Sequence, residues 1–147
     1  MTKFLADRML GQTAKWLRLL GIDTKYASDC DDDRLIEIAE NENRIIITRD
    51  KELAKNDNAM LVKKGPPEET ISKILREFDI EIKPMNRCSK CNTVVKKVDK
   101  IEIKGKVLEN IYERNDDFWI CPGCDQIYWK GTHWDNIMEK IEEIRND

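Results

Sequence analysis

The stretch Arg44-Ile45-Ile46-Ile47-Thr48-Arg49-Asp50 decides how this chain folds. Its β-branched run is short, continuous and bounded by charge, the pattern of a strand covered on both faces of its sheet. Upstream, residues 3–6 read as a second such strand. A helix to about Leu20 follows, with Leu10, Thr13, Ala14 and Leu17 on one face and Gly21 where a C-cap belongs. Residues 24–27 predict another strand, and Leu35, Ile36 and Ala39 another helix. Downstream come a short helix after Asp50, a strand at 60–62, and a helix over 66–78 carrying Ile71, Ile74, Leu75 and Phe78 at helical spacing. Strands alternating with helices predict an α/β domain built on a parallel sheet.

The pattern changes at Pro84, which divides the chain into an expected sheet domain, 1–83, and an appendage, 84–147. In the appendage, 94–98, 100–104 and 107–112 read as strands around Gly105. A last helix begins at about His133, with Trp134, Ile137, Met138, Ile141 and Ile144 on one stripe. Across all 147 residues, 40% are hydrophobic, which excludes a disordered tail, and no apolar run reaches the ~18–20 residues of a membrane span. Charges at Lys3, Asp7 and Arg8 are unlike a signal peptide, so a cytoplasmic protein is expected. The formal net charge of −3 excludes a bulk polycation, and contact with nucleic acid would need a local basic patch.

In an open parallel sheet the functional crevice lies outside the carboxyl ends of the strands. Asp7 follows the first strand, the cluster Asp29, Asp31, Asp32 and Asp33 follows the second, and Asp50 follows the third. Carboxylates gathered on one edge repel unless cations neutralise them, and their hard oxygens favour Mg²⁺ or Mn²⁺. Two such ions can activate water and stabilise the leaving oxygen at a phosphodiester. Each aspartate also has an ordinary role open to it: Asp32 or Asp33 can N-cap the following helix, Asp50 the next one, and Asp7 can end its strand in a turn. Asp29 and Asp31 read as solvated loop charges. Arg8, Lys15 and Arg18 share a helix face near Asp7, and Arg49 and Lys51 flank Asp50. They suit a phosphate track, although a solvated helix face is the commoner explanation for Lys15 and Arg18. Trp16 reads as a core or interface residue.

Cys88-Ser89-Lys90-Cys91 and Cys121-Pro122-Gly123-Cys124 are two Cys-x-x-Cys knuckles, and Cys30 stands alone. Four thiolates close a tetrahedral zinc site with no open position, so Cys88, Cys91, Cys121 and Cys124 predict a structural ion. A short appendage with few large apolar side chains needs such a staple.

Phe4-Leu5-Ala6-Asp7-Arg8-Met9-Leu10-Gly11, Ala14-Lys15-Trp16-Leu17-Arg18 and Leu20-Gly21-Ile22-Asp23 resemble the opening of the Mut-seven C-terminal ribonuclease family. Asp32, Leu35, Ala39, Arg44 and Thr48-Arg49-Asp50 continue the likeness. So do Arg87-Cys88, Cys91-Asn92, Cys121, Cys124, Tyr128-Trp129 and Gly131-Thr132-His133. The resemblance implies a PIN-like three-layer fold with a C-terminal zinc ribbon, and a metal-dependent endoribonuclease. Asp7, Asp32 and Asp50 would be its catalytic acids and its Mg²⁺ or Mn²⁺ ligands, and RNA its substrate, with Arg8, Lys15, Arg18, Arg49 and Lys51 on the backbone. Adjacent Asp33 leaves the register at Asp32 open, and Asp57 is the nearest candidate for a fourth carboxylate. A ribosome or an inhibitory protein would be a further partner. The alternative expectation is a module that binds RNA or the ribosome without cutting.

Overall fold

The computed structural model describes residues 2–146. The side chains of His133, Ile137, Ile144, Arg145 and Asn146 lie outside what is described, and with them the packing roles expected of Ile137 and Ile144. The chain forms two compact units, Met1–Asn92 and Thr93–Asp147.

The first unit is built on four parallel strands, β1 (Phe4–Asp7), β2 (Thr24–Ala27), β3 (Ile45–Thr48) and β4 (Ala59–Leu61), in the order β2-β1-β3-β4. Three helices accompany them: α1 (Gly11–Leu19), α2 (Asp32–Glu42) and α3 (Pro67–Glu77). Side chains alternate across a strand, so Leu5 and Ile46 share one face, where they form a core with Ala27 and with Leu35, Ile38 and Ala39 of α2. Phe4, Ala6 and Ile47 take the opposite face. There Phe4 meets Phe78 edge-on at 5.5 Å, and α1 packs on α3. The connection from β1 runs to one neighbour and that from β2 crosses back, so right-handed crossovers place α1 and α2 on opposite faces. The expected α/β architecture with a parallel sheet is therefore present. Leu10, Thr13, Ala14 and Leu17 are all buried, as is Trp16. Gly21 ends α1 in a left-handed conformation (φ 84°): its N–H donates to the Arg18 carbonyl and that of Ile22 to the Leu17 carbonyl.

The amino ends of the strands carry a closed polar network. Arg44 donates to Asp23 at 2.8 Å, to Glu42 at 2.9 Å and to the Phe4 carbonyl at 3.1 Å. Asn92 donates to the same Asp23 oxygen at 2.7 Å and accepts from the Thr24 N–H at 3.1 Å. Arg87 donates to the Asn92 carbonyl at 2.8 Å. These bonds hold the first cysteine knuckle within the sheet unit, beyond the junction expected at Pro84.

The second unit contains an antiparallel sheet, β5 (Lys96–Val98), β6 (Phe118–Ile120) and β7 (Ile127–Trp129), with β6 central. It corrects two expected strands. Residues 100–104 and 107–112 hold helices α4 (Lys100–Ile103) and α5 (Glu109–Arg114), and the sheet comes from the aromatic runs Phe118-Trp119-Ile120 and Ile127-Tyr128-Trp129. Ile101 and Ile103 show why. In a strand they would share a face, but Ile103 is 1% exposed and Ile101 70%, since residues two apart on a helix point nearly opposite ways. Helix α6 (Thr132–Asn146) follows, with Ile141 buried, and Phe118 stacks on Tyr112.

Candidate active site

Strands β1 and β3 are paired with Leu5 beside Ile46 and Ala6 beside Ile47, which brings Asp7 next to Thr48. From β1 the chain turns toward β2 and from β3 toward β4, so the crevice outside the carboxyl ends opens between these two strands. Thr48 is fully buried. Its hydroxyl donates to Asp7 Oδ2 at 2.7 Å and accepts the Asp50 N–H at 3.0 Å. The other Asp7 oxygen accepts the Met9 N–H at 3.1 Å, starting the 3-10 turn Arg8–Leu10. Asp50 Oδ1 accepts the N–H groups of Glu52 and Leu53 at 2.8 and 3.4 Å, an Asx turn into the 3-10 turn Leu53–Lys55. The ordinary roles expected of Asp7 and Asp50 are thus both real, and Thr48 links the two residues through one hydroxyl.

A cleft of ≈ 770 Å³ opens over them. Asp7, Asp29, Asp31, Asp32, Asp33 and Asp50 line it with Arg8, Met9, Ser28, Cys30 and Leu35. The cap of α2 is Asp31, whose Oδ1 accepts the Arg34 N–H at 2.8 Å, which corrects the expectation that Asp32 or Asp33 would cap and that Asp31 was a loop charge. Asp32 and Asp33 lie in the first helical turn, exposed, where the helix dipole favours negative charge. Both line the cleft, so the structure keeps both as partners for Asp7 and Asp50. Asp57 is exposed and does not line it. Six aspartates and one arginine line it, so the cleft is strongly acidic. Among the described residues these carboxylates share the cleft without closing to the spacing seen at the cysteines below.

The basic residues separate. Arg8 lines the cleft. Lys15 and Arg18 line a second groove, and Lys51 is exposed. Arg49 is half-buried, with a buried Nε that meets no acceptor. Arg18, expected on a solvent-facing surface, is 7% exposed. Its guanidinium donates to the Thr24 carbonyl at 2.8 Å and to the Ser89 carbonyl at 3.0 Å, so it braces the first knuckle against β2.

The sulfur atoms of Cys88, Cys91, Cys121 and Cys124 lie within 4.8 Å of one another, Cys88 and Cys121 buried and Cys91 and Cys124 exposed. A tetrahedron with Zn–S bonds of ≈ 2.3 Å has S···S edges of about 3.8 Å, so this set can hold zinc and leaves no position for water. The two knuckles are locally alike. Asn92 (φ 70°) and Asp125 (φ 63°) adopt the left-handed conformation, and their N–H groups donate to the Cys88 and Cys121 carbonyls at 2.9 and 2.8 Å.

Sequence reasoning did not find Thr48, although a signal was present: a hydroxyl two residues before Asp50 on the strand that pairs with the one ending at Asp7. A family model described as the Mut7-C RNAse domain matches residues 2–141, nearly the whole chain, and the chain belongs to that family. No curated protein and no solved structure matched it. Membership carries a ribonuclease-type domain, with RNA as the class of substrate.

Proposed function

We propose that this Mut7-C family chain is a metal-dependent endoribonuclease of the PIN-like kind, with Asp7, Asp50 and the first-turn carboxylate Asp32 as its catalytic acids. The observation that supports it is the Asp7–Thr48–Asp50 linkage at the floor of a cleft lined by six aspartates, at the edge where a parallel sheet binds its ligands. Asp7, Asp32 and Asp50 would hold Mg²⁺ or Mn²⁺, which when bound supplies an activated water and charge stabilisation at a phosphodiester. The chain supplies the positioning. Thr48 fixes one Asp7 oxygen and the Met9 N–H the other, while the Asx turn fixes one Asp50 oxygen. Arg8, beside Asp7, is placed to meet a phosphate of the RNA, and Arg49 and Lys51 flank Asp50 on the chain. Zinc on the four cysteines would be structural, and Arg18 braces the first knuckle.

The test is a cleavage time course on labelled structured and unstructured RNA. Zinc-loaded wild type and Asp7→Asn are run with Mn²⁺, with Mg²⁺ and with neither, because a chelator would also attack the cysteine site. Metal-dependent products from wild type alone are expected. Products from both proteins would remove Asp7 from the site. Products from neither, with RNA still bound, would leave a binding module.

A further inference from the structure

We propose that the groove beside the first cysteine knuckle is a subsite for single-stranded RNA, where Lys15 and Lys90 hold phosphates and Tyr26 stacks a base. The proposal rests on the ribonuclease reading and adds the path of the substrate strand beyond the aspartate cleft.

The groove encloses ≈ 370 Å³, within the range of small-ligand sites. Its walls include Gln12, Lys15, Arg18, Tyr26 and Lys90, and no carboxylate lines it. The cleft on the other side of the Arg8–Leu10 turn has the opposite balance, six aspartates to one arginine. A phosphodiester strand is repelled by such a cleft unless cations are bound there, and needs fixed positive charge nearby to be retained. Lys15 and Lys90 are exposed, and neither forms an ion pair among the described residues. The backbone carrying Lys90 is anchored, because Arg18 grips the neighbouring Ser89 carbonyl.

Tyr26 connects the two regions. Its hydroxyl donates to the Arg8 carbonyl at 2.7 Å, so one residue lines the groove while touching the turn that borders the cleft. Gly11 makes this possible: a Cβ there would lie 3.1 Å from the tyrosine oxygen and 3.2 Å from its ring. Tyr26 is 36% exposed on an edge strand. An exposed aromatic residue that shares a groove with two lysines suits a single strand, which is bound by stacking and phosphate contact.

The experiment measures binding, by fluorescence anisotropy of a labelled single-stranded 12-mer RNA over a salt series, with full-length Asp50→Asn protein to prevent turnover. Lys15→Ala/Lys90→Ala should lower the slope of log K against log salt by about 1.4, at about 0.7 per lost phosphate contact on a single strand. Tyr26→Ala should weaken binding by roughly 5- to 150-fold with the slope unchanged, and Tyr26→Phe should bind like the parent. An unchanged slope in the double lysine variant would overturn the proposal. So would an equal loss in Lys63→Ala/Lys64→Ala, which removes the same charge elsewhere on the surface. Failure of the ribonuclease reading looks different: the lysine and tyrosine variants lose binding as stated, while wild type cuts nothing in Mn²⁺ or Mg²⁺.

Discussion

Replacing Thr48 with valine removes the hydroxyl that joins the two carboxylate positions while leaving the buried volume nearly unchanged. Two hydrogen bonds are lost, one donated to Asp7 at 2.7 Å and one accepted from the Asp50 N–H at 3.0 Å. A bond to a charged group contributes about 1.5–3 kcal/mol and a neutral one about 0.5–1.5 kcal/mol. Asp7 borders an open cleft where water can replace the lost donor, so the expected destabilisation is about 2–3 kcal/mol. Thr48→Ser keeps the hydroxyl and loses one methyl, a cost of about 1 kcal/mol. Urea unfolding at pH 7 without divalent ions should therefore rank threonine above serine above valine. Packing alone predicts the reverse for the two variants, because valine fills the site and serine does not. If Thr48→Val is as stable as Thr48→Ser, the hydroxyl is not holding these groups together. The same pair of variants tests function. A group that orients a metal ligand typically changes metal affinity or activity by about 10- to 100-fold when removed. Thr48→Val should need that much more Mn²⁺ for half-maximal cleavage, with Thr48→Ser close to wild type. An unchanged Mn²⁺ requirement would show that Thr48 does not position Asp7.

Three further outcomes are expected. Asp7→Asn removes one of six like charges from the cleft and should abolish the rise in thermal midpoint that Mn²⁺ gives wild type; an equal rise in the variant would remove Asp7 from the proposed metal site. Burial alone would raise the pKa of Asp23, but hydrogen bonds from Asn92 and Arg44 and the charges of Arg44 and Arg87 hold it below the ordinary value. Its contribution is therefore complete above the unfolded pKa and is lost as pH falls through the folded one, from about pH 4 downward. Asp23→Asn should cost about 3 kcal/mol at pH 7 and flatten that acid limb, read from urea unfolding at several pH values. Purified protein should carry about one zinc per chain, measured by mass spectrometry of the native protein, as a closed four-thiolate site requires. Cys91→Ser should reduce the loading and lower the midpoint, and a zinc-free chain of unchanged midpoint would refute a structural ion.

The sheet unit was legible because its signals are local and mutually consistent. Ile45–Thr48 is apolar on both faces, the α1 stripe is buried as its spacing indicates, and Gly21 caps where its position suggests. The second unit was less legible because Lys100-Ile101-Glu102-Ile103-Lys104 alternates like a strand over a window too short to separate a period of 2 from one of 3.6. The expected strand at 94–98 holds β5, whereas the two unforeseen strands, β6 and β7, are three residues each and adjoin the second knuckle, so the cysteines dominate their reading. For the cleft, position along the chain placed Asp7 and Asp50 on one edge but could not allot the roles of Asp31, Asp32 and Asp33. Only the backbone shows that Asp31 is spent on the Arg34 N–H. Arg18 was misplaced for a related reason. Its helix face looked charged and solvated, but the knuckle that returns to it lies seventy-one residues further on.

The two ends of the parallel sheet carry opposite electrostatic tasks. At the amino ends, Asp23 and Glu42 are matched by Arg44 and Lys25 through short bonds and by the charge of Arg87 at 3.9 Å, and Asn92 closes the set by both donating and accepting. At the carboxyl ends, six aspartates face one arginine, and the hydrogen bonds of Asp7, Asp31 and Asp50 serve to fix oxygens rather than to cancel charge. A fold optimised only for stability would neutralise both ends. Leaving one end acidic is what the proposed cation site requires, and the paired end offsets the stability it forgoes. This reasoning fixes opposite signs for two substitutions that each remove one carboxylate charge: in metal-free protein Asp23→Asn should lower the thermal midpoint and Asp29→Asn, which thins the cleft charge and spares the Thr48 bond, should raise it. If both move the midpoint the same way, the division of labour between the two ends is wrong.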